Sequence, residues 1–365
     1  MNTSKLLGIA LAGTLLLASC YQPDVMMHTT INQNPWRPCE REITYSNVMP
    51  KQMRDSVYGK TGLGWSQPMP ECLNTDAFCS THTEIGKDDT VSTTFWTPFK
   101  SIEEMSQQTP LQLNGTHLRS KASLKKQFRW FYTNYVFSET FYCVGDTFQL
   151  ADTLYADKSL VSYWFTGEPN LVKGLSGAEA SQKLSEIEPA INHWLNDNLL
   201  KVGFDYIVGH YDSIPAPPVS KERFVELHDS LVQFITAGAD DFLSIMPEER
   251  VRDFFHSDAY DDFFNDETTL GKGLTGELSK QLNIFWFNVP YTLTMPGKVI
   301  DPGNGALQPD GTIRYAFTGE RLIPKDYTIT ATSRVTNIWA YVVTFILCII
   351  VLIMARRRRK QFALT

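Results

Sequence analysis

Positive charge is scarce between the two ends of this sequence, and that shortage excludes one large class of partner at once. The 365 residues carry 33 Lys and Arg against 40 Asp and Glu, a formal charge of −7. Lys5 and the run Arg356-Arg357-Arg358-Arg359-Lys360 lie at the termini, which leaves 27 basic against 40 acidic residues, or −13, for everything between. Phosphate backbones require a positive surface, so nucleic acid is excluded as a partner. An acidic domain is also repelled from an anionic bilayer unless something holds it there.

Catalytic signatures are equally thin. There is no Gly-rich phosphate loop, and His193, His228 and His256 lie in helical stretches without an HExxH partner. Gly174-Leu175-Ser176-Gly177-Ala178 resembles a nucleophile elbow but lacks its final glycine, and a helix cap explains Ser176 better. His210, Asp212 and Ser213 are sequence neighbours, whereas triads are assembled in space. The acidic run Asp258 to Glu267 lacks EF-hand spacing and reads as a solvated face. The expectation is a non-enzymatic protein with no cofactor and no metal.

What the sequence does carry is concentrated at its ends. Lys5 precedes an apolar stretch, Leu6 to Leu17, of signal-peptide size and too short to span a bilayer. Ala18 and Ser19 before Cys20 match the lipobox of bacterial lipoproteins. The resemblance implies a signal at 1–19, cut before Cys20, whose thiol then carries diacylglycerol. At the other end, Ile338 to Met354 holds no charge. At about 1.5 Å per residue it reaches roughly 25 Å, a little short of a ~30 Å hydrocarbon core. Trp339 and Tyr341 suit one interface, and snorkelling arginines suit the other. A transmembrane helix at 338–355 is expected, followed by a basic tail at 356–365. The run Arg356, Arg357, Arg358, Arg359 and Lys360 places that tail in the cytoplasm by the positive-inside rule.

A spanning helix needs no help from an acyl chain, so the lipid on Cys20 is expected to be positional, holding the other end of the domain down. Tyr21-Gln22-Pro23-Asp24 is not the acidic run of surface-exported lipoproteins. The expected location is the bacterial inner membrane, with the main domain periplasmic.

The remaining exported cysteines, Cys39, Cys72, Cys79 and Cys143, lie where disulfides are permitted. Cys72–Cys79 with Cys39–Cys143 is the preferred pairing, because the first closes a short loop with little strain. Cys72, Cys79 and His82 as metal ligands would have irregular spacing and no obvious fourth partner.

Between the ends the expected class is α+β: an antiparallel sheet domain split by a helical insertion. The β-rich part is 20–174, the helical part 175–288 and a closing β-meander 289–335. Strands are expected at Val25–Asn32, Arg41–Ser46, Thr90–Phe99 and Leu160–Thr166, with Gly59 to Lys87 mostly loop. Helices are expected at Met49–Tyr58 and Ser101–Gln108. Ser176 with Glu179 forms a capping box opening a further helix, which Pro189 interrupts or restarts. Lys221–Ala237, Pro247–His256 and Gly273–Phe287 complete the block. Tyr291–Ile300, Thr312–Ile323 and Asp326–Val335 are the meander strands, and the first and last strands are expected in one sheet.

Lys121 to Gly145 is dense in aromatics: Phe128, Trp130, Phe131, Tyr132, Tyr135, Phe137, Phe141 and Tyr142. Both strand faces are apolar, so either helices cover both or one face lines a cavity. Trp130, Tyr132, Trp164 and Phe165 are the candidate lining residues for an apolar ligand.

Thr294-Met295-Pro296-Gly297-Lys298-Val299, Gly305, Gly311, the strand around Tyr315, and Tyr327 to Ala331 before Trp339 resemble the LppM-type lipoprotein family. That resemblance covers about 60 residues and implies an α+β domain able to hold a lipid-like ligand, with no catalytic residues. Asp-Ser/Thr-aliphatic triplets at Ser56, Thr90, Thr153, Ser213 and Ser230 are similar to the O-glycosylation motif of Bacteroidetes. The functional expectation is a membrane-anchored exported lipoprotein binding a hydrophobic or envelope ligand. Its alternative is a structural protein docking on an envelope complex through the helical block.

Overall fold

A computed structural model describes residues 24–48, 72–74, 76, 78–86, 90–237 and 248–362; from residue 358 onward the backbone alone is described. Cys20, Ser56, the expected signal and the helix expected at Met49–Tyr58 lie outside the described residues.

The chain is α+β. The first half is strand-rich: β1 (Asp24–Ile31), β2 (Cys39–Val48), β3 (Ser80–Ile85) and β4 (Thr90–Phe99), then the short α1 (Ile102–Gln107), β5 (Gln112–Leu113), β6 (Thr116–His117), β7 (Ser120–Phe128) and β8 (Tyr132–Phe141). Helices follow as α2 (Lys158–Thr166), α3 (Gly177–Gly209), α4 (Lys221–Glu226), α5 (His228–Thr236), α6 (Glu248–Phe255) and α7 (Thr269–Trp286). The end comprises β9 (Tyr291–Thr294), β10 (Lys298–Asp301), β11 (Ala306–Leu307), β12 (Ile313–Tyr315), β13 (Tyr327–Thr336) and α8 (Ile338–Phe362).

Two sheets face each other across one core. The seven-stranded sheet runs β11-β12-β9-β1-β2-β4-β3, and the four-stranded sheet runs β10-β13-β8-β7. Alternation decides which side chains enter the core. On β8, Tyr135, Phe137, Glu139 and Phe141 are buried and the residues between them are partly exposed. Phe137 and Phe141 are fully buried, each contributing about 1.5–3 kcal/mol. They meet Met27, Ile43, Tyr291 and Phe317 from the other sheet and its flank.

Several expectations give way here. The three C-terminal strands are not a meander. The stretch Tyr291–Ile300 breaks at Pro296-Gly297, so β9 joins the seven-stranded sheet parallel to β1, while β10 joins β13 in the other. Gly297 makes this crossing possible: its φ is +76°, and a Cβ there would lie 2.3 Å from the Arg334 carbonyl oxygen. Ser333 donates to the Pro296 carbonyl at 2.7 Å, fixing the turn against β13. Thr312–Ile323 supplies only a three-residue strand and then a 3-10 turn. The first and last strands, β1 and β13, consequently lie in different sheets. Within the stretch expected to be loop, β3 forms an edge strand.

Leu160–Thr166 is a helix, not a strand. Asp157 caps it by accepting from Ser159 N, and Gly167 closes it in the left-handed conformation. Its buried positions, Val161, Ser162, Phe165 and Thr166, have helical spacing, which its aromatic density hid. Pro189 neither interrupts nor restarts a helix: α3 runs continuously for 33 residues. Both Pro189 and Ser185, whose carbonyl loses its helical partner, are exposed, so the vacated acceptor is open to solvent. The Ser176–Glu179 capping box is present, with both reciprocal bonds made.

The helices build their own core around Phe204, Phe224, Tyr260 and Phe263. A third cluster, including Phe148, Phe165, Trp194 and Ile323, joins helices to the sandwich.

No disulfide is present among the described residues. The Cys39 thiol is buried and donates to Ser101 O at 3.5 Å, while Cys79 Sγ lies 2.8 Å from Thr97 Oγ1. Neither preferred pairing, Cys72–Cys79 nor Cys39–Cys143, is formed. Burial pushes the Cys39 thiol up to about 12, against the opposing pull of Arg41.

Candidate functional site

The β7–β8 turn is the most unusual piece of local structure. Arg129 and Tyr132 exchange backbone hydrogen bonds of 2.8 and 3.2 Å, leaving Trp130 and Phe131 as a two-residue loop. Such loops favour Asn-Gly, whose positive φ values fit the strand twist. Trp-Phe offers none of that, so side-chain contacts must hold the turn. They come from α8. The Asn337 side-chain amide donates to Arg129 O at 2.8 Å and Trp130 O at 3.2 Å, and its carbonyl accepts from Thr133 Oγ1 at 3.1 Å. Asn337 N donates to Phe131 O at 2.9 Å.

Rings complete the junction. Phe128 stacks on Trp339 with centroids 6.3 Å apart, Trp130 meets Trp339 edge-on at 5.3 Å, and Phe131 lies 4.7 Å from Tyr341. Trp130 Nε1 donates to Thr344 Oγ1 at 2.8 Å. The segment Ile338–Arg357 is long and apolar enough to cross a membrane, with a mean hydropathy of 2.8. The aromatic hairpin is thus fastened to the first two turns of that segment.

The four candidate lining residues do not converge. Trp130 sits at the hairpin tip, and Tyr132 lies beneath the Arg334 guanidinium, 4.1 Å from its ring centroid. Trp164 and Phe165 belong to α2. With Leu184, Thr318, Glu320 and Arg321 they line a broadly open depression of about 410 Å³. Arg321 is already engaged, donating to Thr166 O at 3.0 Å and lying over Tyr327. Burial raises the Glu320 carboxyl above its ordinary range, with Arg321 opposing. Of the β8 aromatics, Tyr135, Phe137 and Phe141 face the packed core rather than a cavity, while Tyr132 lies on the opposite face.

Inside the core lies a polar network that sequence reasoning missed. Arg41 on β2 and Glu139 on β8 are fully buried and pair at 2.7 Å. Tyr291 donates to Glu139 at 2.9 Å, Ser120 donates to its other oxygen at 2.9 Å, and Arg41 Nε reaches Thr29 Oγ1 at 3.2 Å. Burial alone would lower the Arg41 pKa, yet Glu139 and Tyr291 hold it above the ordinary guanidinium value. Burial, then Glu139, holds the Tyr291 hydroxyl protonated far beyond neutral pH. Nη1 of Arg41 has no partner. The network joins the two sheets, and Arg41 lies 98 residues from Glu139 and 250 from Tyr291 in sequence, a separation that leaves no local signal.

Elsewhere the chemistry is sparse. Among the described residues no group of three or more His, Cys, Asp or Glu could hold a metal. His82 pairs with Glu84, and Cys79 faces Thr97. Of the sugar-acceptor candidates, Thr153, Ser213 and Ser230 are exposed, and Thr90 is half-buried at the start of β4. Arg356 and Arg357 continue α8 as exposed residues; Arg358, Arg359 and Lys360 extend its backbone. Comparison with protein-family models, curated proteins and solved structures finds no match to this chain.

Proposed function

We propose that the chain is an exported, membrane-anchored lipoprotein whose ectodomain is held in one orientation at the bilayer surface and serves as a structural or interaction module. The junction carries this reading: Asn337 and Trp130 bind the β7–β8 turn to α8, leaving no free linker between sheet and helix. A domain that only needed retention would be served by a flexible tether. A fixed orientation instead presents the helical block at a set height and angle to a neighbouring envelope component.

In this reading the helices from α2 to α7 are an insertion in a split sandwich. They enter after β8 and leave into β9, and both flanking strands belong to the sandwich. The insertion thus starts near Lys158, earlier than Leu175.

A second reading keeps the apolar ligand, carried by Trp164 and Phe165 at the open depression. It ranks lower because the sandwich interior is packed with side chains and the depression is broadly open. The LppM-type resemblance favours this second reading. Its Pro296-Gly297 element is accounted for here by the turn that crosses between sheets.

Alkaline extraction of membranes tests the anchoring. Four chains are compared: the parent, C20A, a chain ending at Thr336, and that truncation carrying C20A. Only the last is expected in the soluble fraction. Release of the truncated chain with Cys20 intact removes the lipid anchor from the account; release of C20A alone removes the helix.

A further inference from the structure

We propose that the β7–β8 turn is itself a membrane-inserted wedge, with Phe128, Trp130 and Phe131 below the headgroups and a rim of cations on anionic phospholipid around them. This deepens the reading of α8 as a spanning helix and rests on it.

The depth follows from helix arithmetic. The uncharged run from Ile338 to Met354 is about 25 Å long, shorter than a ~30 Å hydrocarbon core, so none of it can be left above the membrane. Arg356 and the cations after it hold the other end at the opposite interface. Thr344 lies six residues into the helix, or roughly 9 Å along its axis. Trp130 hydrogen-bonds to Thr344. The turn therefore cannot remain in water while α8 spans.

The exposure of the turn agrees. Phe128, Trp130 and Phe131 are 57%, 45% and 39% exposed even after packing on α8. Contiguous apolar surface of this kind marks an interaction site, and the surface that must cover it is the bilayer already surrounding the helix. Trp130, with Trp339 and Tyr341 beside the turn, matches the Trp and Tyr belt of membrane interfaces, and Phe128 and Phe131 add wholly apolar rings next to it.

Charge supplies an independent argument. In a chain with a net acidic interior segment, the four-stranded sheet carries Lys121, Lys125, Lys126, Lys298 and Arg334, with Arg129 in the turn. The carboxylates on its strands are Glu139, which is buried against Arg41, and Asp301 on β10. Lys298 lies opposite Arg334 in the strand register, and Arg334 opposite Asn134, at the end of the sheet nearest α8. Lys126 and Arg129 flank the turn itself. Lys126, Arg129 and Arg334 can reach phosphate groups at the level where the aromatics enter, whereas Lys121, opposite Thr140, lies at the far end of the sheet.

The test places the full-length chain in nanodiscs containing phospholipid brominated at shallow acyl positions, and reads tryptophan fluorescence of the parent, W130F and W339F. Both Trp130 and Trp339 are expected to be quenched, so each variant loses about half of the quenchable amplitude. Quenching of Trp339 with no change in W130F overturns the wedge while leaving the spanning helix intact. Absence of quenching at both removes the spanning helix, and with it the reading beneath. W130F keeps an aromatic ring at an exposed position but gives up the Thr344 hydrogen bond, while the Asn337 bonds to the Arg129 and Trp130 carbonyls remain; a thermal midpoint matching the parent is therefore required before its quenching is read.

A second arm addresses the rim. Native mass spectrometry after release from mixed phosphatidylglycerol and phosphatidylcholine bilayers should show retained lipid enriched several-fold in phosphatidylglycerol for the parent. The enrichment is expected to fall in K125Q/K126Q/R129Q, with the basic tail supplying the remainder. Equal enrichment in the two chains overturns the headgroup half of the proposal.

Discussion

The two sheets of the sandwich share a core but differ in charge. The seven-stranded sheet places Glu40, Glu42 and Glu84 on its exposed or half-exposed surface, and the four-stranded sheet places Lys121, Lys125, Lys126, Lys298 and Arg334 there. The first belongs to the acidic bulk of the molecule. The second ends at the helix long enough to cross a membrane. Net charge described the chain poorly, because an acidic average concealed a cationic face at the one place where an anionic surface would be met. Burial differs as well: the four-stranded sheet contributes Glu139 and the seven-stranded sheet Arg41, so the pair that bridges them belongs to neither alone.

Breaking that bridge should have the largest effect. Glu139→Ala leaves Arg41 charged, buried and unpaired, which costs about 3–5 kcal/mol, read as a fall in the thermal midpoint of the full chain. Replacing the pair by Leu and Met should recover much of that loss; a double variant as unstable as the single would contradict the bridging role.

Next comes the attachment of the four-stranded sheet to α8. Asn337→Ala removes three side-chain hydrogen bonds, a loss of about 1–3 kcal/mol for partly exposed groups. Hydrogen exchange should accelerate at Phe131 to Thr133 and remain unchanged along β1 and β2. Acceleration across both sheets would mean that Asn337 supports the whole fold, not the junction.

Ser176→Ala serves as a control outside both sheets. It removes the cap of α3 at a cost of about 1 kcal/mol, and faster exchange should be confined to the first turn of that helix.

The smallest effect concerns pH. The Glu320 carboxyl is raised by burial, so the folded chain holds its proton better than the unfolded chain. Its stabilising contribution is complete below the ordinary carboxylate range and is lost as pH rises through the raised value. Glu320→Gln should match the parent in acid and exceed it modestly at neutral pH. A variant less stable at every pH would contradict the assignment.

What was legible in the sequence was local. β4 and the Ser176 cap appear where alternation and capping chemistry put them, and the apolar run at Ile338 forms one helix. The partition of strands between two sheets was not legible, because it turns on Gly297 pressed against Arg334, a contact across 37 residues. α2 was misread because Tyr163-Trp164-Phe165 has strand composition, and only Asp157 and Gly167 at its ends signal a helix. The aromatic cluster was found, but its purpose was hidden in partners more than 200 residues away, Asn337 and Thr344. Arg41 and Glu139 gave no sign at all, since each reads as a surface charge until the other faces it.

Photo-crosslinking from phospholipid with a diazirine in its acyl chain, on the full-length chain in nanodiscs, tests the central claim most directly. Adducts mapped by peptide sequencing are expected on Phe128 to Tyr132 and on Ile338 to Met354, and absent from Ser80 to Ile85 and from the helical block. Adducts confined to the helix, with the turn unlabelled, would contradict it.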